Sequence, residues 1–353
     1  MSCEPSRNSR FVMTALLARQ VFAFIAALAL LVGGTSEIAS APRETAGGSS
    51  GPMPLQATPQ APEAKIRVNV NLVLVEATVK DRSGRVRKEL KKEDFVLEED
   101  GVPQEIAHFS RDQLPLAVAL VVDLSTSIEP FIRPLRYATL TALKALKADD
   151  EVALFTFSGD VQQRLGLTRD KREVSDQIEF FRTGGATNIN RAIYDAARYL
   201  GEQAPAARRV IVLVSDNVPT TQDGVDHRRV VEAALEADAA VYSLRVPGYN
   251  PLSSRMVAAA VRGLVNVNKL AADTGGEIFD VEKEGSLFLA FQALIERLKT
   301  RYTLGFYSKR NADAGGFRQL SLRLQPSFGA RGKDYTVLSK TGYYASRAPA
   351  ATR

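Results

Sequence analysis

The sequence predicts an α/β fold: a doubly wound, mainly parallel sheet, flanked in the chain by β-strand segments with the pattern to form one β-sandwich. Three observations predict it. Continuous apolar runs at "LAVALVVD" (116–123), "EVALFTFS" (151–158) and "RRVIVLVSD" (208–216) read as strands covered on both faces. Helix-period stretches alternate with these strands at βα spacing, which favours right-handed crossovers. Outside that zone, residues 64–112 and 301–346 show period-two alternation and turn signals, with no helix period.

The elements follow in order. Arg7, Arg10 and Arg19 precede "VFAFIAALALLVGG" (21–34), and "ASA" (39–41) follows. A basic region, a short apolar core and small residues read as a cleaved signal peptide over 1–41; an uncleaved membrane anchor is the alternative. Export to the periplasm or the outside is the expectation, with membrane contact only if that segment stays. Cys3 is the sole cysteine and lies inside it, so the remainder has no disulfide or thiol chemistry. Residues 42–63, rich in Pro, Gly, Ser and Ala, read as a flexible linker.

From Ile66, "IRVNVNLVLVEATVKD" is a long strand with a phase slip near Leu72, or two strands. "DRSG" and "EEDG" are turns, with strands at 94–99 and 104–110. This N-terminal β segment (64–112) is small for a core of its own. The α/β zone (115–300) then alternates as follows: strand 116–123, helix 131–150, strand 151–158, edge strand 161–168, helix 172–181, helix 190–203, strand 208–216, helix 228–238, strand 239–246, a helix ending at "DTGG" (273–276), strand 277–281 and helix 286–302. Pro134 sits in a first turn, where proline is tolerated. Phe155, Phe157, Phe180 and Phe181 are expected in the core. The C-terminal β segment (301–346) offers strands at 302–308, 317–325 and 334–339, and residues 347–353 form a tail. Pairing of the two β segments into one sandwich, with the α/β zone inserted, is expected.

The 353 residues carry 46 Lys and Arg against 40 Asp and Glu, a net charge of +6 without a dense basic block. That mixed surface argues against a nucleic-acid partner.

In an open parallel sheet, ligands bind where loops converge at the carboxyl ends of the strands. Asp123, Ser125 and Ser127 follow the first buried strand. Thr187 lies in the loop "TGGATNIN", and Asp216 ends the strand 208–216. Each has a bland reading alone, since Asp, Ser and Thr cap helices. Together, two carboxylates and three hydroxyls suit a hard cation, Mg²⁺ first, with Mn²⁺ or Ca²⁺ as alternatives.

The order D-x-S-x-S, then Thr in a Gly-rich loop, then Asp after a later strand resembles the metal-ion-dependent adhesion site of von Willebrand factor type A domains, over roughly residues 115–283. "VVDLSTS", "TGGATNI" and "VIVLVSDNVPT" carry it. The flanking β segments are similar to those of an exported, acidobacterial type A-related family. The resemblance implies that Ser125, Ser127 and Thr187 contact the cation, that Asp123 and Asp216 bind directly or through water, and that one position stays open for an acidic residue of a partner protein. Asn217 stands where the family commonly has Gly; Asn tolerates unusual backbone angles. The expected function is binding, not catalysis. Two rivals are a metal-dependent phosphoester hydrolase and a structural module with a vestigial site. Against the first, Ser125 stands where a dehalogenase-like pattern wants a second Asp, and no G-x-S-x-G, P-loop or G-x-G-x-x-G follows the first strand.

Overall fold

The computed structural model describes residues 72–111, 114–248, 256, 261–310, 316–326 and 335–345. The signal, the linker, residues 64–71 and the tail lie outside them. Among the described residues no helix is long and apolar enough to cross a membrane.

The α/β part is built on a six-stranded sheet in the order β10-β9-β8-β5-β6-β7. β5 (Leu116–Asp123), β6 (Glu151–Phe157), β8 (Arg208–Ser215), β9 (Ala239–Arg245) and β10 (Ile278–Asp280) are parallel. β7 (Val161–Thr168) runs antiparallel on the edge, its polar residues largely in solvent. Every residue of β5 is buried, as its unbroken apolar run requires. One face is covered by α1 (Ile132–Lys144), α2 (Lys171–Ile178) and α6 (Leu287–Lys299). The other is covered by α3 (Ile189–Gln203), α4 (His227–Glu236) and α5 (Val267–Asp273). Side chains alternate along β5, so Val118, Leu120 and Val122 enter the first layer while Ala117, Ala119 and Val121 enter the second.

The helix expected over 131–150 stops at Lys144. Asp150 accepts N–H bonds from Lys147 (2.8 Å) and Leu116 (2.8 Å), so 145–150 forms a turn tied to the start of β5. Phe155, Phe157 and Phe181 are core residues, but Phe180 is exposed: both 180 and 181 lie past the end of α2, and the turn there buries Phe181 while leaving Phe180 outside.

The two β segments pair with each other. β1 (Leu72–Asp81) lies between β11 (Tyr302–Tyr307) and β13 (Tyr335–Ser339), and β4 (Ile106–Ser110) pairs with the other edge of β11. β12 (Phe317–Leu324) lies between β2 (Phe95–Glu99) and β14 (Gly342–Tyr344), and β3 (Val102–Gln104) pairs with β2. These two four-stranded sheets share a core that includes Val75, Val79, Leu97, Tyr302, Leu304 and Phe306. The strand expected at 104–110 is split. β3 closes a hairpin with β2 through Asp100 and Gly101, both at positive φ, and at Glu105 the chain crosses to the other sheet. β14, which sequence reading missed, is only three residues long.

A buried ionic network joins the β-sandwich to the sheet. Glu76 of β1 accepts a hydrogen bond from Arg301 (2.8 Å) and forms an ion pair with Arg208 (2.8 Å). Glu277 pairs with Lys80 (2.5 Å) and Arg297 (2.7 Å). Arg208 opens β8, and Glu277 immediately precedes β10. The sandwich therefore meets the sheet at the amino ends of its parallel strands, opposite the rim where ligands are expected.

Candidate metal centre

β5 ends at Asp123, which is 0% exposed. Its Oδ1 accepts the backbone N–H of Ser125 (2.7 Å), which bends the chain sharply after the strand. Its Oδ2 accepts from Ser215 Oγ (2.6 Å) on the adjoining strand β8. Ser125 is extended (φ −63°, ψ 160°) and leads into a 3-10 turn over Thr126–Phe131. Ser125 Oγ and Ser127 Oγ lie 3.0 Å apart. Asp216 follows β8 directly. Its Oδ1 accepts the Val218 N–H (3.0 Å), and the Ser127 hydroxyl is near enough to lower its pKa. Asp123, Ser125 and Ser127 are thus linked by direct contacts, Asp216 follows the Ser215 that bonds Asp123, and the two carboxylates lie close enough for Asp216 to raise the pKa of Asp123.

Thr187 is buried in the loop before α3. Thr220 clamps its backbone: Thr187 N–H donates to Thr220 Oγ1 (3.0 Å), and Thr220 N–H donates to Thr187 O (2.9 Å). The same loop is tied to the Asp123 turn, because Gly184 N–H donates to Leu124 O (2.7 Å). Asn188 then caps α3 by accepting from Arg191 N (3.2 Å). The Thr187 loop is therefore bonded to the turn, while Thr187 itself is held by Thr220.

Burial dominates the electrostatics. It raises the Asp123 carboxyl from 3.8 to about 7, against hydrogen bonds from Ser215 and Ser125 that pull it down. Burial raises Asp216 too, against the Val218 N–H and the Ser127 hydroxyl. Among the described residues no Lys or Arg nitrogen lies within 4.0 Å of either carboxylate. Nor, among those residues, do three or more His, Cys, Asp or Glu side chains cluster to hold a metal. The donor set here is instead two carboxylates with neighbouring hydroxyls. It fits a hard cation: a buried, uncompensated pair of acids is stabilised by a divalent charge, and hydroxyl oxygens are competent ligands for Mg²⁺.

Sequence reading missed three supporting residues. Ser215 holds Asp123 and also accepts the Asn217 N–H (3.1 Å). Thr220 clamps Thr187. Asn190, fully buried, donates to Val225 O (2.7 Å) and Gly263 O (3.0 Å) and accepts from Val265 N (2.9 Å), pinning two further loops. Ser215 is next to Asp216 in "VSDN", but nothing in the sequence aims its hydroxyl across to β5. Asn217 has φ 59°, a left-handed angle that Asn adopts more readily than most residues. Its Oδ1 accepts from Ser243 Oγ (2.8 Å), a contact that glycine cannot make.

Comparison with known proteins gives one family match: a model of the von Willebrand factor type A domain over residues 118–218, a span holding all five candidate residues. Solved structures similar to the chain include a von Willebrand factor type A protein from Catenulispora acidiphila, at 10% identity and TM-score 0.45, covering 78% of this chain and 73% of that one. The vWF domain of the type V pili tip protein Mfa5 from Porphyromonas gingivalis matches at 11% identity and TM-score 0.43, covering 52% and 95%. An aerotolerance-related membrane protein from Bacteroides fragilis matches at 18% identity and TM-score 0.38, covering 52% and 99%. No curated protein matches.

Proposed function

We propose that the von Willebrand factor type A domain carried by this chain binds one divalent cation, Mg²⁺ first, and through it captures an acidic side chain of a partner protein. Asp123, Ser125, Ser127, Thr187 and Asp216 would hold the ion, directly or through water. The observation that carries the reading is the pair of buried carboxylates, Asp123 and Asp216, with no basic partner among the described residues and hydroxyls at hand. A buried acid without a counter-charge costs stability, and chains retain such a site where a ligand supplies the charge.

The bound ion supplies Lewis acidity toward an incoming carboxylate; hydroxyl ligands leave that acidity largely unquenched. The chain's own residues do the rest. Ser215 orients Asp123, the Ser125 N–H fixes its other oxygen, and Thr220 holds the loop that bears Thr187. The role is adhesion or assembly outside the cytoplasm. The export expectation rests on residues 1–41. The sandwich, at the opposite end of the sheet from the rim, leaves the site free to face a partner. The test is uptake of Mg²⁺ or Mn²⁺ by the purified protein, compared with Asp123→Asn; equal affinity in both removes the site.

A further inference from the structure

The two helical layers have unlike surfaces. On the α3, α4 and α5 side four helix cations pair with acids one turn along their own helix: Arg191 with Asp195 (2.8 Å), Arg198 with Glu202 (2.9 Å), Arg228 with Glu232 (2.9 Å) and Lys269 with Asp273 (2.5 Å); Arg229 has no ion pair among the described residues. That is a largely self-neutralised, solvated face. No large apolar side chain of those three helices is exposed.

The opposite layer differs in its apolar exposure and, along α1, in its charge; α2 and α6 do carry exposed acids, Glu173, Asp176 and Glu296. Of ten exposed large apolar side chains among the described residues, four belong here: Tyr137 (72%), Phe180 (71%), Leu289 (62%) and Phe288 (37%). α1 carries Arg133, Arg136 and Lys144 and no acid. Two of these cations sit near its N-terminus, where the helix dipole disfavours positive charge. Arg136 is answered by Glu179, at the end of α2. Arg133 is exposed and has no ion pair among the described residues; Glu129 is the acid one turn before it. Placement against the dipole and aromatic exposure each cost stability, and both are relieved by one kind of cover, an acidic and apolar one.

The position of this face ties it to the rim. The turn bearing Ser125 and Ser127 runs straight into α1. The loop past α2, with Phe180 and exposed Arg182, returns to that turn through the bond from Gly184 to Leu124 (2.7 Å). α6 packs beside α1 and begins on the rim side, after β10.

We propose that the partner docks along this layer: a protein segment that places one carboxylate at the cation and lays further acidic and large apolar side chains over Arg133, Tyr137 and Phe180. This rests on the cation reading above. Tyr and Arg are among the residue types on which interfaces concentrate their binding energy, and Phe is enriched at interfaces.

The test starts by panning displayed random short peptides on the full-length protein in Mg²⁺. Enriched peptides are then measured against single variants. Expected are acidic peptides with large apolar residues whose affinity falls about tenfold or more in Tyr137→Ala, Phe180→Ala and Arg133→Glu and stays unchanged in Arg198→Ala on α3. Arg133→Glu places an acid where the dipole favours it, so a lost interaction there is not lost folding. Peptides that ignore all three variants, or no acidic enrichment at all, overturn the docking face. Asp123→Asn separates the two readings. Loss with Asp123→Asn alone leaves the cation site and removes the face; loss with the face variants alone does the reverse. Binding to phosphatidylglycerol vesicles that Arg133→Glu abolishes, with no peptide selected, assigns the face to a membrane and overturns the proposal.

Discussion

Asp123→Asn in the metal-free protein isolates the cost of the buried acid. The folded carboxyl keeps its proton up to about pH 7, while an unfolded one loses it near 3.8. Between those values the folded state binds more protons than the unfolded state, so this group's contribution to stability falls as pH rises through that window. A rise of about three units corresponds to roughly 4 kcal/mol, fully expressed only above pH 7. Asn is neutral at every pH and nearly the same shape. Its oxygen can accept the Ser125 N–H, and its amide can donate to Ser215 Oγ, since a hydroxyl both accepts and donates. Urea unfolding in chelator should therefore show the variant more stable than wild type by roughly 1–2 kcal/mol at pH 5 and by roughly 4 kcal/mol at pH 8. Excess divalent cation should reverse the order at pH 8, because only wild type gains from binding. A variant less stable than wild type by the same amount at both pH values would refute the reasoning, since the acid would then be no burden when ionised.

Three further outcomes follow from the contacts. Ser215→Ala removes the bond to Asp123 and the acceptor for Asn217 N–H, and should cost about 1–3 kcal/mol in urea unfolding and weaken Mn²⁺ binding measured by paramagnetic resonance. Glu76→Ala strands the buried guanidinium groups of Arg208 and Arg301, and should destabilise by roughly 3–5 kcal/mol while leaving cation affinity unchanged, because the network lies at the far end of the sheet. Gly276→Ala puts a methyl group into the carbonyl of Val241, backbone against backbone, and should give little soluble protein on expression.

The α/β architecture was legible because its strands are buried on both faces and carry unbroken apolar runs, as at 116–123 and 208–216, a pattern helices of that length rarely share. Helix ends were harder to read. Whether α1 runs to Lys144 or beyond depends on Asp150 reaching the N–H groups of Lys147 and Leu116, one of them 34 residues away in the chain. The β-sandwich was legible as two alternating segments; the sheet switch between β3 and β4 was not, because alternation continues smoothly through Glu105. At the site, Asp123, Ser125, Ser127 and Asp216 were readable as oxygen donors at strand ends. The sequence did not disclose Ser215, Thr220 or Asn190, whose partners lie 92, 33 and 35–75 positions away. Such residues act through tertiary contacts that no local pattern encodes. Phe180 went the other way: its apolar character suggested core, and only the turn past α2 shows that it points outward.

Isothermal titration of Mg²⁺ into chelator-stripped, full-length protein at about pH 8, beside Asp123→Asn, probes the cation site without any knowledge of the partner. One ion per wild-type chain, none in a variant that still unfolds cooperatively, and wild-type affinity that weakens as pH drops below about 7 is the predicted result, because the proton and the ion compete for Asp123. Wild type that takes up neither Mg²⁺ nor Mn²⁺, or a variant that binds as tightly as wild type, would contradict it.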